Sequence, residues 1–188
     1  MSFYPDGARV PESLRTLQLF LRPLRESDAT LDYAAVMSSA DQLRRWSQTD
    51  WPADGFTLEE NRADLRRHER EHDERQAFTF TVLHPARTSC LGCVYIKPAY
   101  PELASLSEGA SHPADVAFWV RSSELTRGLD RHLLLALREW LAAQWAFDRV
   151  FFTIGQQNAR QATLLRDAGL VMRLEFTLAD GRACWAFA

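Results

Sequence analysis

The chain has 188 residues, 46% hydrophobic and 25% charged, with a formal net charge of -3 and three cysteines. That length and apolar fraction suit one folded domain and exclude a disordered chain, and a mildly acidic balance with scattered Lys and Arg excludes a general nucleic-acid binder. No apolar run is long enough to span a membrane, the start lacks a basic region followed by an apolar one, and an odd, unpatterned cysteine count fits a reducing compartment, so a cytoplasmic protein is expected.

Residues 1–15 carry Pro5, Gly7 and Pro11 and read as a flexible lead-in to a domain over residues 16–188. "TLQLFLRPL" alternates Leu17, Leu19 and Leu21 with its neighbours and predicts a strand that ends at Pro23. "ESDATLDYAAVMSS" predicts a helix capped by Ser27 or Asp28. A long charged helix follows over "DGFTLEENRADLRRHEREHDER", opened by Thr57 and Glu60 at capping-box spacing. "FTFTVLH" sets Phe78, Phe80 and Val82 against threonines and predicts a strand, with "CLGCVYI" as its hairpin partner. Residues 98–113, rich in proline and small residues, predict a long loop.

"ADVAFWV" is an apolar strand. A polar stretch, "SSELTRG", then runs into a helix whose stripe is Leu133, Leu134, Leu137, Trp140 and Leu141. "RVFFTI" predicts a buried strand, and "NARQATLLRDAGL" a short helix ended by Gly169 in a left-handed conformation. Strands around "RLEFTL" and "ACWAFA" flank a turn at Asp180 and Gly181. This order implies an α/β domain, with parallel pairing in its C-terminal half and hairpins elsewhere.

Two short motifs suggest other chemistry. "HEREH", from His68 to His72, matches H-E-x-x-H, which on a helix would set two imidazoles on one face for zinc, with Glu69 as base. Its neighbours are almost all charged, so a solvated turn laced with i,i+4 pairs is expected and no metal site. "CLGC" has its sulfurs at Cys90 and Cys93. On a regular strand these point to opposite faces, so convergence would need a bend at Gly92. There is no G-x-G-x-x-G pattern and no Gly-Lys-Ser/Thr phosphate loop. Trp46, Trp51 and Trp119 are read as core residues that could also line an acceptor pocket.

Three pieces carry a resemblance: "LFLRPLRESDA", "ADVAFWVRSSELTRGLDRHLLLALREWLAAQWAFDRVFF" and "NARQATLLRDAGL". In this order and spacing, over about residues 17–170, they resemble the GNAT superfamily of acyl-CoA N-acyltransferases, in the branch that includes ribosomal-protein N-terminal acetyltransferases. The resemblance implies a single-domain α/β fold with a central mixed and splayed β-sheet flanked by helices. It also implies acetyl-CoA as co-substrate, direct attack by an amine acceptor (a small molecule or a protein N-terminus) and a homodimer. The alternative is a catalytically degraded module of the same fold that binds a ligand or partner.

By the same resemblance, cofactor contacts fall to Trp119, Val120, Arg127, Gly128, Leu129 and Asn158, and the base to Asp115. The physical logic is general. A helix N-terminus receives a pyrophosphate, small residues let the backbone approach it, and strands that part expose peptide groups for an amide arm and a thioester carbonyl. Asn158 is equally suited to cap a helix, and Asp115 to be a strand-edge charge in solvent. Four positions depart from the family pattern. Leu125 replaces a polar residue, and Asp130 replaces a small one. The Asp130 carboxylate would repel a pyrophosphate unless Arg127 and Arg131 offset it or it turns to cap the helix. Gln161 and Leu165 stand where the family carries Ser or Tyr, so the usual acid for the leaving thiolate is absent. Holding the reactants together would still supply much of the acceleration.

Overall fold

A computed structural model describes residues 3–188. The first two residues of the expected lead-in lie outside that range. Eight strands form one sheet: β1 (Leu14–Arg15), β2 (Phe20–Pro23), β3 (Phe78–Leu83), β4 (Cys90–Pro98), β5 (Pro113–Val120), β6 (Arg149–Gly155), β7 (Met172–Thr177) and β8 (Ala183–Phe187). Their spatial order is β1-β2-β3-β4-β5-β6-β8-β7. The helices are α1 (Ala29–Met37), α2 (Ala40–Ser47), α3 (Leu58–Asp73), α4 (Leu129–Gln144) and α5 (Ala159–Asp167).

One relationship in this sheet positions the site. β5 and β6 are its only parallel pair among the described residues, and they pair over just three rungs, Pro113 with Arg149, Ala114 with Val150 and Asp115 with Phe151. Beyond Asp115 the two strands separate. β5 stays on β4, from Val116 opposite Ile96 to Val120 opposite Gly92. β6 turns to β8, beginning with Phe152 opposite Phe187. The mixed, splayed sheet expected from the sequence is present. Gly92 is required on the β4 side, because a Cβ there would sit 2.1 Å from the Trp119 carbonyl oxygen.

Strand alternation divides the core between the two faces of the sheet. Val94, Ile96, Val116, Phe118 and Val120 pack with Leu133, Leu134, Leu137 and Leu141 of α4. Cys93 and Trp119 point the other way, to Val36 of α1, Leu43 of α2 and Leu65 of α3. Each fully buried leucine stabilises the fold by roughly 1.5–3 kcal/mol relative to exposure.

The predicted capping box opens α3: the Thr57 side chain accepts from Glu60 N at 3.2 Å, and the Glu60 carboxylate accepts from Thr57 N at 2.7 Å. Gly169 ends α5 at φ 81° and Gly181 turns at φ 89°, as their positions imply. α2 was not foreseen, because "ADQLRRWS" buries only Leu43 and so shows no apolar stripe. Leu17 does not join a strand; it is 98% exposed in the turn before β2. Within residues 98–113, Pro101–Ser107 winds into a 3-10 helix around buried Leu103.

Three readings are corrected. The lead-in is docked from Phe3 onward, because Tyr4, 1% exposed, packs edge-on against Phe78, Trp145 and Phe147. The "HEREH" turn is not solvated on all sides. His68 is buried, and the His72 ring meets Phe78 and Phe80 at 5.2 and 5.4 Å. Burial lowers both imidazoles, His72 to about 4. Among the described residues no group of three His, Cys, Asp or Glu is placed to hold a metal. Finally, the β3–β4 register skips Leu91 between Gly92 and Cys90. That bulge brings Cys90 and Cys93 into one cluster on one face. Burial pushes Cys90 up to about 12 and Cys93 well above its ordinary value, so both thiols stay protonated. Among the described residues no helix is long and apolar enough to cross a membrane.

Candidate active site

The gap between β5 and β6 opens a groove of about 300 Å³, lined by Phe118, Trp119 and Val120 of β5, Asn158 and Gln161 at the start of α5, and Asp130 of α4. In a strand, the N–H and C=O of one residue leave on the same side, and the next residue's on the other. The Phe118 carbonyl accepts from Gln161 Nε2 at 2.8 Å and the Val120 carbonyl from Gln42 Nε2 at 3.1 Å, so these two residues present their peptides to the gap. Arg121 N donates to Leu91 O at 2.7 Å, which fixes the odd-numbered peptides toward β4. Val120 therefore turns its peptide to the groove. Trp119 turns its backbone to β4 and contributes a buried indole whose Nε1 donates to Tyr95 Oη at 3.2 Å. Phe118 was missed, although strand alternation from Val120 would have found it.

The polar loop winds as a 3-10 helix, Ser122–Arg127, and ends at Gly128 in a left-handed conformation, φ 69°. A side chain at Gly128 would meet nothing within 4 Å, so glycine is needed for backbone angle and the space outside is open. Leu129 opens α4 there, and the Gly128 carbonyl accepts from His132 N at 3.1 Å. The Gly128 N–H donates to the Leu125 carbonyl at 3.2 Å, which leaves the N–H groups of Leu129 and Asp130 as the uncommitted donors of the first turn of α4 among the described residues. Arg127 is exposed and lies 3.6 Å from Glu124, its one ion-pair partner among the described residues.

Asp130 is 4% exposed and is neutralised by neither Arg127 nor the Arg131 guanidinium. Its partner is Arg160 of α5, with Nε to Oδ2 at 2.7 Å and Nη2 to Oδ1 at 3.1 Å. Arg160 also donates to the Leu125 carbonyl at 2.7 Å, and the Arg131 backbone N–H donates to Asp130 Oδ1 at 3.0 Å. The acidic side chain is tied back to α5, which removes most of its repulsion toward an anion at the loop.

Asn158 caps α5 by accepting from Gln161 N at 3.2 Å, and its Nδ2 donates to Gln161 Oε1 at 2.7 Å. With the bond from Gln161 to Phe118 O, this makes a closed circuit across the gap. Leu165 is fully buried in the core. An extended amide chain can bond to this edge of β5 only by displacing the two glutamine amides from the Phe118 and Val120 carbonyls.

On the α1–α3 face of the sheet lies a second cavity, of about 280 Å³. Asp115, at the last shared rung of β5 and β6, lines it with Thr153, Lys97 and Tyr95. Asp115 is 4% exposed, not a solvent-edge charge, and its Oδ1 and the Thr153 Oγ1 have no hydrogen bond of normal geometry among the described residues. Burial raises its carboxyl to about 7, against the pull of Thr153 and Lys97. Packing around Lys97 lowers its ammonium. Asp32 of α1 lines the same cavity and is raised to about 6, by burial first and by the charges of Asp28 and Asp64. Trp46 of α2 lines both the groove and the cavity and packs at 5.9 Å against Tyr95. Gln48, left-handed at φ 57°, lies so close to Gly155 that a Cβ there would be 2.5 Å from its Nε2.

Of the residues expected from the sequence, Trp119, Val120 and Asn158 line the groove and Asp115 the cavity, while Arg127, Gly128 and Leu129 line neither. The structure adds Asp32, Lys97, Thr153, Gln42 and Arg160, which short motifs could not reveal because they come from five separate elements. A groove along a strand edge that glutamine amides occupy, with a buried carboxyl in the neighbouring cavity raised to about 7, offers peptide groups to an extended amide ligand and a proton acceptor close to neutrality.

The model of the acetyltransferase (GNAT) domain family matches residues 18–171. Among solved structures, the ribosomal L7/L12 alpha-N-protein acetyltransferase RimL in complex with coenzyme A is similar at 17% identity and TM-score 0.73, over 93% of this chain and 97% of that one. RimJ from Mycobacterium smegmatis in complex with CoA-disulfide is similar at 18% identity and TM-score 0.73, over 98% and 90%. A ribosomal-protein-S5-alanine acetyltransferase from Vibrio fischeri is similar at 18% identity and TM-score 0.72, over 94% and 95%. At these identities the likeness is one of fold. No curated protein gives a significant match.

Proposed function

Because the chain belongs to the acetyltransferase (GNAT) family, and is therefore an acyl-CoA-dependent N-acyltransferase with acetyl-CoA as co-substrate, we propose that Asp115 is its general base and a primary amine its acceptor. The acceptor is a small molecule or a protein N-terminus. The similarity to an enzyme described as an alpha-N-protein acetyltransferase favours the latter.

Acetyl-CoA supplies a thioester carbon open to attack by the amine nitrogen, with the thiolate leaving. The groove supports a specific division of labour. The Gly128 N–H is given to the Leu125 carbonyl at 3.2 Å and the Arg131 N–H to Asp130, so the N–H groups of Leu129 and Asp130, in the first turn of α4, receive the diphosphate, with the positive end of the helix behind them. The edge peptides of Phe118 and Val120 bond the arm, and one of their N–H groups polarises the carbonyl. Asp115 takes a proton from the acceptor ammonium, directly or through one water, and its raised pKa suits that task near neutral pH. No side-chain acid serves the sulfur: Leu165 is in the core, and Gln161 can only donate a hydrogen bond.

The observation that carries this reading is the buried, half-unpartnered carboxyl of Asp115 at the rung where β5 and β6 part. The test is release of free thiol from acetyl-CoA with a panel of amines and N-terminal peptides. Turnover is expected with at least one class; silence throughout, together with no binding of acetyl-CoA, would defeat it.

A further inference from the structure

We propose that the acceptor carries two cationic groups, one reacting beside Asp115 and the other held by Asp32. The proposal rests on the transferase reading above and names the substrate class of the same cavity.

Asp32 and Asp115 come from α1 and β5, line one cavity of about 280 Å³ and are each 4% exposed. An isolated buried carboxylate is costly unless something positive or strongly donating meets it. Around Asp32 the protein offers little. The charged groups that act on it are Asp28 and Asp64, both acids, and its donors are Asn61 and the Cys90 thiol at 4.0 Å. The other cations on the cavity wall are already engaged. Arg67 bonds Asp64 and Glu71, each at 3.0 Å, and Arg182 bonds Asp180 at 2.8 Å. Lys97 lies at the opposite carboxyl, across the strand pair from Asp115.

Two further observations point to a ligand in this space. Asp115 Oδ1, in a side chain 4% exposed, has no hydrogen bond of normal geometry among the described residues, and the neighbouring Thr153 hydroxyl acts on the same carboxyl, so the pair leaves polar capacity on the cavity wall. Trp46 and Trp51 line the same cavity, and aromatic faces accept a cation where a neutral amide or a second carboxylate gains nothing; the Tyr95 ring already meets the Lys97 ammonium, 5.5 Å from its centroid. An acceptor with one amine leaves one of the two buried carboxylates unanswered; an acceptor with two answers both. Two sources share this chemistry: a short aliphatic diamine or polyamine, and a peptide N-terminus followed closely by Lys or Arg.

The experiment compares matched pairs in the thiol-release assay. Diaminobutane is set against butylamine, and a peptide beginning Ser-Lys against one beginning Ser-Ala. In the native protein the dicationic member of one pair should show kcat/KM at least about tenfold higher, and the pair that does so identifies the source. In Asp32→Asn that ratio should fall toward one; being a ratio, it does not depend on how much protein folds. A binding arm without acetyl-CoA, thermal stabilisation by diaminobutane or by the Ser-Lys peptide against the matched partner, should show the same preference. Equal kcat/KM within both pairs, or a preference that survives Asp32→Asn, overturns the proposal and leaves the transferase intact. Failure of every amine and peptide to release thiol removes the transferase reading and this one with it.

Discussion

Asp115 of β5 stands opposite Lys97 of β4 in the antiparallel register, and both side chains line the cavity that opens where β5 leaves β6. Opposed residues share a face, so the Lys97 ammonium acts on the carboxyl from one side while burial acts from all others. Burial wins, and the carboxyl titrates at about 7.

Removing the ammonium therefore has a definite sign. Lys97→Met takes away a positive charge that favours the ionised carboxyl, so the Asp115 pKa rises further. The acid limb of kcat/KM should move to higher pH by about one unit. An unmoved limb would show that Lys97 does not act on Asp115.

The Gln161 amide occupies the Phe118 carbonyl that an amide arm would use. Its hydrogen bonds stabilise the unliganded groove by about 1 kcal/mol, which binding must offset. Gln161→Ala should tighten acetyl-CoA about fivefold in calorimetry and lower stability by about 1 kcal/mol. Weaker binding would mean that Gln161 holds the ligand instead of standing in its place.

Asp130 is acceptable beside an anion only while Arg160 holds it. Arg160→Ala should weaken acetyl-CoA about tenfold and destabilise the fold by about 1–3 kcal/mol, a range reduced because the arginine is half exposed. Removing both charges in Asp130→Ala with Arg160→Ala should recover most of the affinity. No recovery would place the role of Arg160 on the ligand itself.

The raised carboxyls also make stability depend on pH. Asp32 and Asp115 ionise at their ordinary value of 3.8 when unfolded, but at about 6 and about 7 when folded. Between those values the folded state binds more protons than the unfolded state, so stability falls as pH rises from about 4 to 7 and is flat with respect to these groups above that. Asp32→Asn should remove its share of the slope and stabilise the protein at pH 8 by about 1–3 kcal/mol in urea melts. An unchanged slope would show that Asp32 is not held protonated by burial.

Much of the fold was legible because periodicity and caps are local. The strand alternation at Phe78, Phe80 and Val82, the Thr57–Glu60 box and the Gly169 stop all appear where the residues imply them. The splay followed from the resemblance and was met in the register of Asp115 and Phe151. What the sequence hid was non-local. The side on which Trp119 turns its backbone depends on register with β4. The neutralisation of Asp130 comes from a residue 30 positions on, and the convergence of Cys90 and Cys93 needs a bulge that leaves no composition signal beyond Gly92. The inward turn of His68 and His72 was masked by charged neighbours, because a helix can bury one face and expose the rest.

The most direct test of the account is the pH dependence of kcat/KM for native protein and Asp115→Asn with the best amine found. The native profile should rise through a pKa near 7, and the variant should lose about 10²–10⁴ in rate together with that limb. A variant that keeps the native rate and the same limb would contradict the assignment of Asp115 as the base.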